Sequence, residues 1–221
     1  MDFYVNRCRL FCPGDEAPDT GFIPPMQRRK MSRLTRIAIG MAEEVAGGDR
    51  LPVVFASRFG EWRQSAEQML RYFKDKEVSP VGFGFSVHNT APSWVSILKG
   101  NQKAYTAISG AERTFDSGLL EAAATLHTED EVLFLCAAEE TPETYRSVFG
   151  GEPMEFAVAL RLGRARMDAS AAGLTIDFAS RSSVSGGDLC RARDFVRFMC
   201  RSAAAPPLFD GPFYALRRCE K

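Results

Sequence analysis

The sequence predicts an α/β fold in which a central, mostly parallel sheet carries helices on both faces. Short apolar strand patterns alternate with amphipathic helix patterns up to about residue 137, which is typical of parallel sheets. Two further strand patterns, at 155–162 and 173–179, predict a late antiparallel hairpin within a segment spanning 155–179. With 221 residues, 45% of them hydrophobic, the chain is long enough to bury a core, and we interpret residues 1–221 as a single domain.

The first elements follow from the spacing of apolar residues. A strand over 3–10 runs into a polar stretch rich in proline and glycine at 13–25, which we interpret as a long loop or small insertion. Apolar residues then recur at helical spacing over 31–46, and Gly47-Gly48 ends that helix. The pattern continues with a buried strand at 53–56, a turn at 57–60, a helix over 61–73 and an irregular glycine-rich stretch at 79–85.

The remaining elements are assigned by the same criteria. A helix is predicted over 86–98 in spite of Pro92, and a terminal helix over 188–201 has its apolar residues on one face. Between them we predict a strand at 103–108, a helix over 114–126 and a strand at 131–137.

Composition excludes several classes of function. The 28 basic and 28 acidic residues cancel, which argues against a general nucleic-acid binder. The longest apolar run, 132–138, is far shorter than the ~20 residues that span a bilayer, and the amino terminus lacks the apolar stretch of a secretory signal. We therefore expect a soluble cytoplasmic protein without membrane contact. Six scattered cysteines and two histidines show no metal-ligand spacing, so we expect no metal and no cofactor.

Several strings, in their order, resemble the β-ketoacyl synthases, which have the thiolase fold. They are RRKMSRLTRIAIGMAEE, VVFASRFGE, SPVGFGFSVHNTAPSWVSILKGNQKAYTAISGAERTFDSGLLEAA and EVLFLCAAEE, with EFAVALRLGRARMDASAAGLTIDFASRSS similar to the opening strands of the family's second half. The resemblance implies a thiolase-like domain that corresponds to about one half of a ketosynthase.

The same resemblance implies that the family's chemistry is missing. A synthase needs a cysteine at the amino terminus of a buried helix, where the helix dipole favours a thiolate. The matching residue here is Glu112, a poor acyl acceptor, and no histidine follows His127 to act in decarboxylation. We therefore predict no catalytic residue. Glu112 also fits a capping box with Ser109, a purely structural role.

The resemblance also implies candidate site residues. These residues also have structural interpretations. His88 can be a hydrogen-bonded structural histidine, and Phe59 can be a core plug. The basic residues can lie on solvated helix faces, and so can a second basic cluster formed by Arg191, Arg193, Arg197 and Arg201. The predicted pocket or channel residues are Phe59, Gly82, Phe83, Phe85, His88 and Glu112. The predicted dimer interface contains Asn89, Trp94, Lys103, Ala104, Tyr105, Thr106, Ala107 and Ile108, and the residues predicted to dock an acidic acyl carrier protein are Arg28, Arg29, Lys30 and Arg33.

The leading hypothesis is a non-catalytic subunit, similar to the chain-length factors of polyketide synthases, that pairs with a full-length β-ketoacyl synthase. Such a pair would elongate polyketide, aryl polyene or fatty-acid-type chains. Two alternatives remain open: a stand-alone acyltransferase or hydrolase that uses Cys12 or Ser86, and a homodimer that binds acyl chains or a carrier protein.

Overall fold

The computed structural model describes residues 1–149, 155–177, 187–199, 208–212 and 214–219. The strands are β1 (Asp2–Phe11), β2 (Val53–Ala56), β3 (Tyr105–Ile108), β4 (Glu131–Ala138), β5 (Phe156–Gly163), β6 (Ala172–Asp177), β7 (Leu208–Asp210) and β8 (Ala215–Arg218). The helices are α1 (Pro25–Arg28), α2 (Arg33–Ala46), α3 (Trp62–Asp75), α4 (Pro80–Gly84), α5 (Thr90–Lys99), α6 (Thr114–Thr125), α7 (Arg146–Phe149) and α8 (Asp188–Met199).

The strands form one sheet, in the order β3-β2-β4-β5-β1-β6-β8-β7. The expected α/β class is confirmed, but the sheet is mixed where a mostly parallel one was predicted. Parallel pairing is confined to β3, β2 and β4, whereas every pairing from β4 to β7 is antiparallel. Parallel neighbours need a crossover connection, which α3, α4 and α5 provide between β2 and β3 and α6 provides between β3 and β4.

The predicted hairpin between β5 and β6 is wrong, because β1 lies between these two strands and pairs with both. The register of β1 shifts between Val5 and Arg7. At this irregularity, the buried side chain of Asn6 forms hydrogen bonds with the connection between β5 and β6. Its Nδ2 donates to Ala165 O at 3.1 Å, and its Oδ1 accepts from Met167 N at 3.1 Å. The connection between β5 and β6 therefore crosses β1, and β6 does not pair with β5.

Helices cover both faces of the sheet, as predicted. Alternate residues of β4 point to opposite faces: Phe134 lies in the cluster formed with α6 and α8, and Leu135 in the cluster formed with α2 and α5. Helix α6 lies very close to the sheet at Gly118, where an added Cβ would come within 2.5 Å of Ala56 Cβ. The core is thus divided into two apolar layers by the sheet.

Several element boundaries differ from the predictions. The helix predicted over 86–98 begins only at Thr90, and the stretch 79–85 contains the short helix α4, which Ser79 caps by accepting from Gly82 N at 3.1 Å. The loop 13–25 contains no helix or strand before Pro25, as expected. Strands β7 and β8, of three and four residues, were not predicted. The last two residues of the predicted terminal helix lie outside the described residues.

A buried ionic network fixes α8 and the last strands to α6. The guanidinium of Arg191 bonds both carboxylate oxygens of Asp116, at 2.7 and 3.0 Å, and donates to Asp210 O at 2.7 Å. The hydroxyl of Tyr214 donates to Asp116 Oδ1 at 2.8 Å. Asp116 and Arg191 are buried and Tyr214 is fully enclosed, so the prediction of Arg191 as a solvated or docking residue is wrong.

Arg191→Met is expected to lower the free energy of unfolding by about 3 kcal/mol, because it leaves the Asp116 carboxylate buried without its cation. The control is Arg197→Met on the same helix, whose side chain is 73% exposed; it should change stability by less than about 0.5 kcal/mol. Urea unfolding measures both. Equal stability of the two variants would contradict a structural role for the network.

Candidate functional site

The carboxyl ends of β2 and β3 meet the start of α6, and this junction is where the sequence places the reactive centre. Ser57 N donates to Ile108 O at 3.1 Å, continuing the pairing of the two strands. At the next residue of each segment, Ser109 Oγ donates to Arg58 O at 3.0 Å. The turn after β2 and the turn after β3 are therefore bound together beside α6.

Glu112 does not lie at the start of the buried helix. It occupies a 3-10 turn over Ala111–Arg113, two residues before α6, with its side chain 80% exposed and 3.8 Å from the guanidinium of Arg58. The predicted capping box is also wrong, because Ser109 bonds Arg58 and this turn has no side-chain cap. Ala111, the first residue of this 3-10 turn, has a left-handed backbone conformation with φ 53°.

The start of α6 is occupied by a carboxylate from α8. Phe115 N donates to Asp188 Oδ1 at 2.8 Å. Burial, together with the negative charge of Asp116, raises the pKa of the Asp188 carboxyl to about 6, while the backbone amides of Phe115 and Thr114 and the charge of Arg58 act in the opposite direction. The anion-binding end of the helix is thus filled from within the chain.

The first residues of α6 also carry no thiol. Thr114 and Phe115 are buried, and the Phe115 ring packs against Phe134 and Phe195 at centroid distances of 5.7 and 5.8 Å. Cys136 on β4 is buried, and burial raises the pKa of its thiol well above the ordinary value. A thiolate is therefore disfavoured there. The sequence contains no cysteine between Cys12 and Cys136, and Glu112 lies in the 3-10 turn that leads directly into α6.

His88 has a structural role in the turn after β2. Its Nε2 lies 2.7 Å from Ser57 O, and its ring meets Phe55 edge-on. The approach is so close that a Cβ on Gly60, where φ is +57°, would lie 2.8 Å from the Cα of His88. In the same turn, the Phe59 ring lies 3.8 Å from the Trp62 ring and beneath the Arg58 guanidinium. Phe59 and His88 are thus brought together by one turn.

The other predicted pocket residues lie on or beside α4. Gly82 faces Gln68, and Phe85 stacks on Trp94 with ring centroids 5.7 Å apart. The Phe83 ring points outward and is 60% exposed. These residues therefore face different surroundings.

An exposed apolar surface on α3 and α4 was not predicted from the sequence. Only Trp62 and Ala66 of α3 are buried, although the helix carries apolar residues on other sides as well. Their exposure ranges from 42 to 70%, and we call the set the α3–α4 apolar face: Met69, Leu70, Tyr72, Phe73, Val78, Val81 and Phe83. The apolar cluster MLRYF at 69–73 was the sequence feature from which this surface could have been predicted.

The predicted dimer strand β3 is an edge strand of the sheet. The hydroxyl of Tyr105 is bonded to Asn89 Nδ2 at 3.2 Å and to Ser93 Oγ at 3.0 Å, which ties β3 to the start of α5. Lys103 pairs with Glu129 at 3.2 Å. Trp94 is buried against α2 and Phe85, so it offers little surface to a partner, contrary to the prediction.

The remaining interface residues lie along the same edge. Ala104 and Thr106 are exposed, and Ala107 and Ile108 are half-buried. The geometry leaves the backbone of this strand accessible.

The predicted carrier-docking residues lie at the end of α1 and the start of α2. Arg29 and Lys30 are exposed and Arg28 is half-buried. Arg33 is held by Glu155 through a two-bond contact of 2.6 and 2.9 Å, so its charge is already neutralised in part.

The alternative nucleophiles are poorly placed. Cys12 is buried, and Ser86 Oγ donates to the backbone oxygen of Phe83 at 2.9 Å. Within the described part of the chain no group of three or more histidine, cysteine or acidic residues could hold a metal. No described helix is long and apolar enough to cross a membrane.

Asp188→Asn is expected to remove a pH dependence of stability. Because the folded pKa of about 6 exceeds the ordinary value of about 3.9, the folded protein binds more protons between pH 4 and 6, and stability falls as pH rises through that window. The asparagine keeps the acceptor for Phe115 N but cannot ionise, so the part of the fall that Asp188 contributes disappears. Asp188→Ala also loses the acceptor and should be about 1 kcal/mol less stable than Asp188→Asn.

The control for these variants is Asp194→Asn, an exposed acid of the same helix. Urea unfolding between pH 4 and 7.5 should give it the profile of the unmodified protein. An unchanged profile in Asp188→Asn would show that Asp188 is not buried against α6.

The fold has counterparts among solved ketosynthases. A chain in the complex of the ketosynthase ApeO with its chain length factor ApeC from Xenorhabdus doucetiae is 20% identical and superposes with a TM-score of 0.79, covering 98% of each chain. A chain of the AntDE:AntF complex, a type II polyketide synthase carrier protein with its ketosynthase, is 12% identical over 88% of this chain and 72% of that one, with a TM-score of 0.65.

The ishigamide ketosynthase/chain length factor is 18% identical, with a TM-score of 0.58, over 71% of this chain and 50% of that one. The sequence matches none of the curated proteins at a significant level. The model of the β-ketoacyl synthase N-terminal domain matches residues 6–196, which is most of the chain. On that match, with the thiolase-like fold and the strand-to-helix junction described above, the chain belongs to the β-ketoacyl synthase N-terminal domain family.

Proposed function

We propose that this chain is a non-catalytic, chain-length-factor-like subunit that pairs with an active β-ketoacyl synthase. The pair would elongate a carrier-bound polyketide, aryl polyene or fatty-acid-type chain. The observation that carries the proposal is the α3–α4 apolar face, which a monomer would leave in water while the start of α6 holds no thiol.

The apolar face has the character of a protein interface. Seven large apolar side chains within a span of 15 residues exceed the scattered exposure that is normal for a soluble monomer. Aromatic residues and methionine are enriched in interface cores, and this surface carries two phenylalanines, a tyrosine and a methionine. The edge strand β3 adds unpaired backbone groups that a partner strand can complete.

The opposite layer has a different character. Helices α6 and α8 present Cys190, Asp194, Arg197 and Ala124 to solvent, and none of the large exposed apolar side chains of the described residues lies on them. A partner that covered α6 and α8 would have to desolvate charges. We therefore infer that the synthase binds at α3, α4 and β3.

Similarity to a known pair supports this function. The chain length factor ApeC is described in complex with the ketosynthase ApeO, and the matched chain of that complex has nearly the same extent as this one. The AntDE:AntF complex includes an acyl carrier protein. By analogy we propose that Arg28, Arg29 and Lys30 contact an acidic carrier transiently, since arginine pairs well with carboxylates and phosphate.

Phe73→Glu and Phe83→Glu are expected to abolish co-purification with the co-encoded β-ketoacyl synthase. Both side chains are at least 60% exposed, so the variants should fold, and a carboxylate in an apolar interface core costs several kcal/mol of binding. Val148→Glu is the control, because Val148 is 71% exposed and lies on α7. Retention of the complex by both phenylalanine variants, or its loss in the control, would contradict the proposed surface.

The isolated chain is expected to form no covalent adduct with acyl thioesters. Intact-mass measurement after incubation with an acyl thioester tests this, with the intact synthase as the positive control. An adduct that disappears in Cys12→Ala or Ser86→Ala would favour the stand-alone acyltransferase. Light scattering of the chain alone would identify a homodimer.

A further inference from the structure

A broad cavity of about 910 Å³ lies between the amino-terminal ends of α2 and α3, away from the α3–α4 apolar face. Its floor is Glu139, the residue that follows β4. The polar residues of its wall that matter here are Ser32, Arg36, Arg63 and Gln64.

Two of the arginines in this cavity have no acidic partner. Arg33 pairs with Glu155, and Arg146 pairs with Glu140 at 2.8 Å. Arg36 bonds only a backbone oxygen, that of Ser32, at 3.3 Å, and the guanidinium of Arg63 forms no ion pair with any described residue. The guanidinium groups of Arg36 and Arg63 are therefore available to a ligand in the same cavity.

Glu139 is a buried acid that lines the same cavity as these arginines. Glu139 is only 7% exposed, and its Oε1 accepts from Arg63 N at 2.8 Å, at the start of α3. Its other oxygen has no hydrogen-bond partner among the described residues, although the side chain lines the cavity. This oxygen is therefore open to water or to a ligand atom in the cavity.

The lining carries four arginines and four glutamates, Glu67, Glu139, Glu140 and Glu155, and the position of the cavity adds positive partial charge to this balanced set. The amino-terminal ends of α2 and α3, each of 14 residues, carry the positive partial charge of the helix dipole. Arginine forks match tetrahedral oxyanions with two parallel hydrogen bonds. The site chemistry is therefore that of a phosphate-type anion.

We propose that this cavity binds a phosphomonoester, whose phosphate oxygens pair with Arg36 and Arg63 and accept a hydrogen bond from Glu139 Oε2. A phosphate group fills a small part of the volume, and the remaining space, bordered by Pro13 and Met31, accommodates the organic group of a small ligand. This inference is independent of the pairing with a synthase.

Binding should be coupled to a proton on Glu139. Burial raises the pKa of this carboxyl to about 7, the charges of Glu61 and Glu155 raise it too, and Arg63 lowers it. Arg33, Arg36, Glu67 and the Arg146–Glu140 pair also face the cavity. Since only the protonated acid can donate to a phosphate oxygen, affinity falls as pH rises through about 7.

Calorimetry with phenyl phosphate at fixed ionic strength tests the proposal on the full chain. We expect saturable binding at pH 6.5, at least about tenfold weaker at pH 8.5, and at least about tenfold weaker at pH 6.5 in Arg36→Ala or Arg63→Ala. Arg71→Ala, an exposed arginine of α3 outside the cavity, is the control and should bind as the unmodified protein does. Glu139→Gln should retain binding but lose most of its pH dependence.

Several outcomes would overturn the proposal. They are the absence of saturable binding by folded protein, equal affinity in the Arg36→Ala, Arg63→Ala and control variants, and a pH profile that Glu139→Gln leaves unchanged. Equal affinity for inorganic phosphate and phenyl phosphate would overturn the assignment to an ester.

Discussion

The attachment of α8 to the start of α6 is the constraint on which the rest of the structure depends. Asp188 accepts from Phe115 N, and one turn further along α8 Arg191 binds Asp116, to which Tyr214 is also bonded. These contacts join residues 73 to 98 positions apart. They bring the terminal strands onto the sheet and place Phe195 and Phe198 in the apolar layer beneath α6.

The same attachment determines what the junction can do chemically. A condensing site needs a thiolate and free amides at the end of a buried helix, where negative charge develops on the acyl oxygen. Here a carboxylate is bonded to one of those amides, and the nearby side chains are packed in the core. The scaffold of a synthase is retained, and among the described residues the start of α6 has no thiol and one amide bonded to Asp188.

The polar outer surface of α6 and α8 and the apolar surface of α3 and α4 make a consistent picture. The described residues bury the sheet on both faces. Seven of the 14 large apolar side chains that the described residues leave exposed lie on the α3–α4 apolar face, which is the surface that the proposed pairing would cover.

The sequence predicted the elements whose signal is local. Helix α2 follows from its apolar stripe and its terminal Gly47, and β2 and β4 follow from short buried runs. The pairing of β5 and β6 with β1 could not be predicted, because it depends on Asn6 holding a connection some 160 residues away. Asp188 was missed for the same reason: an acid at a helix start is recognisable, but its bond to another helix is not.

Glu112 shows that an additional 3-10 turn changes where a residue lies relative to the helix that follows it. The alignment of strings placed it at the start of α6, but the 3-10 turn after β3 leaves it two residues short and directs it to solvent. Conversely, the α3–α4 apolar face was visible as a cluster of apolar letters, but only the structure distinguishes a buried stripe from an exposed one.

The most direct measurement is the pH titration of the Phe115 backbone amide by nuclear magnetic resonance, in the unmodified chain and in Asp188→Asn. Closure of the α6 terminus by Asp188 predicts that this resonance shifts with a midpoint near pH 6 and that the shift vanishes in the variant. An amide that does not titrate between pH 4 and 8, or that titrates identically in both proteins, would mean that the terminus is open and would contradict the account.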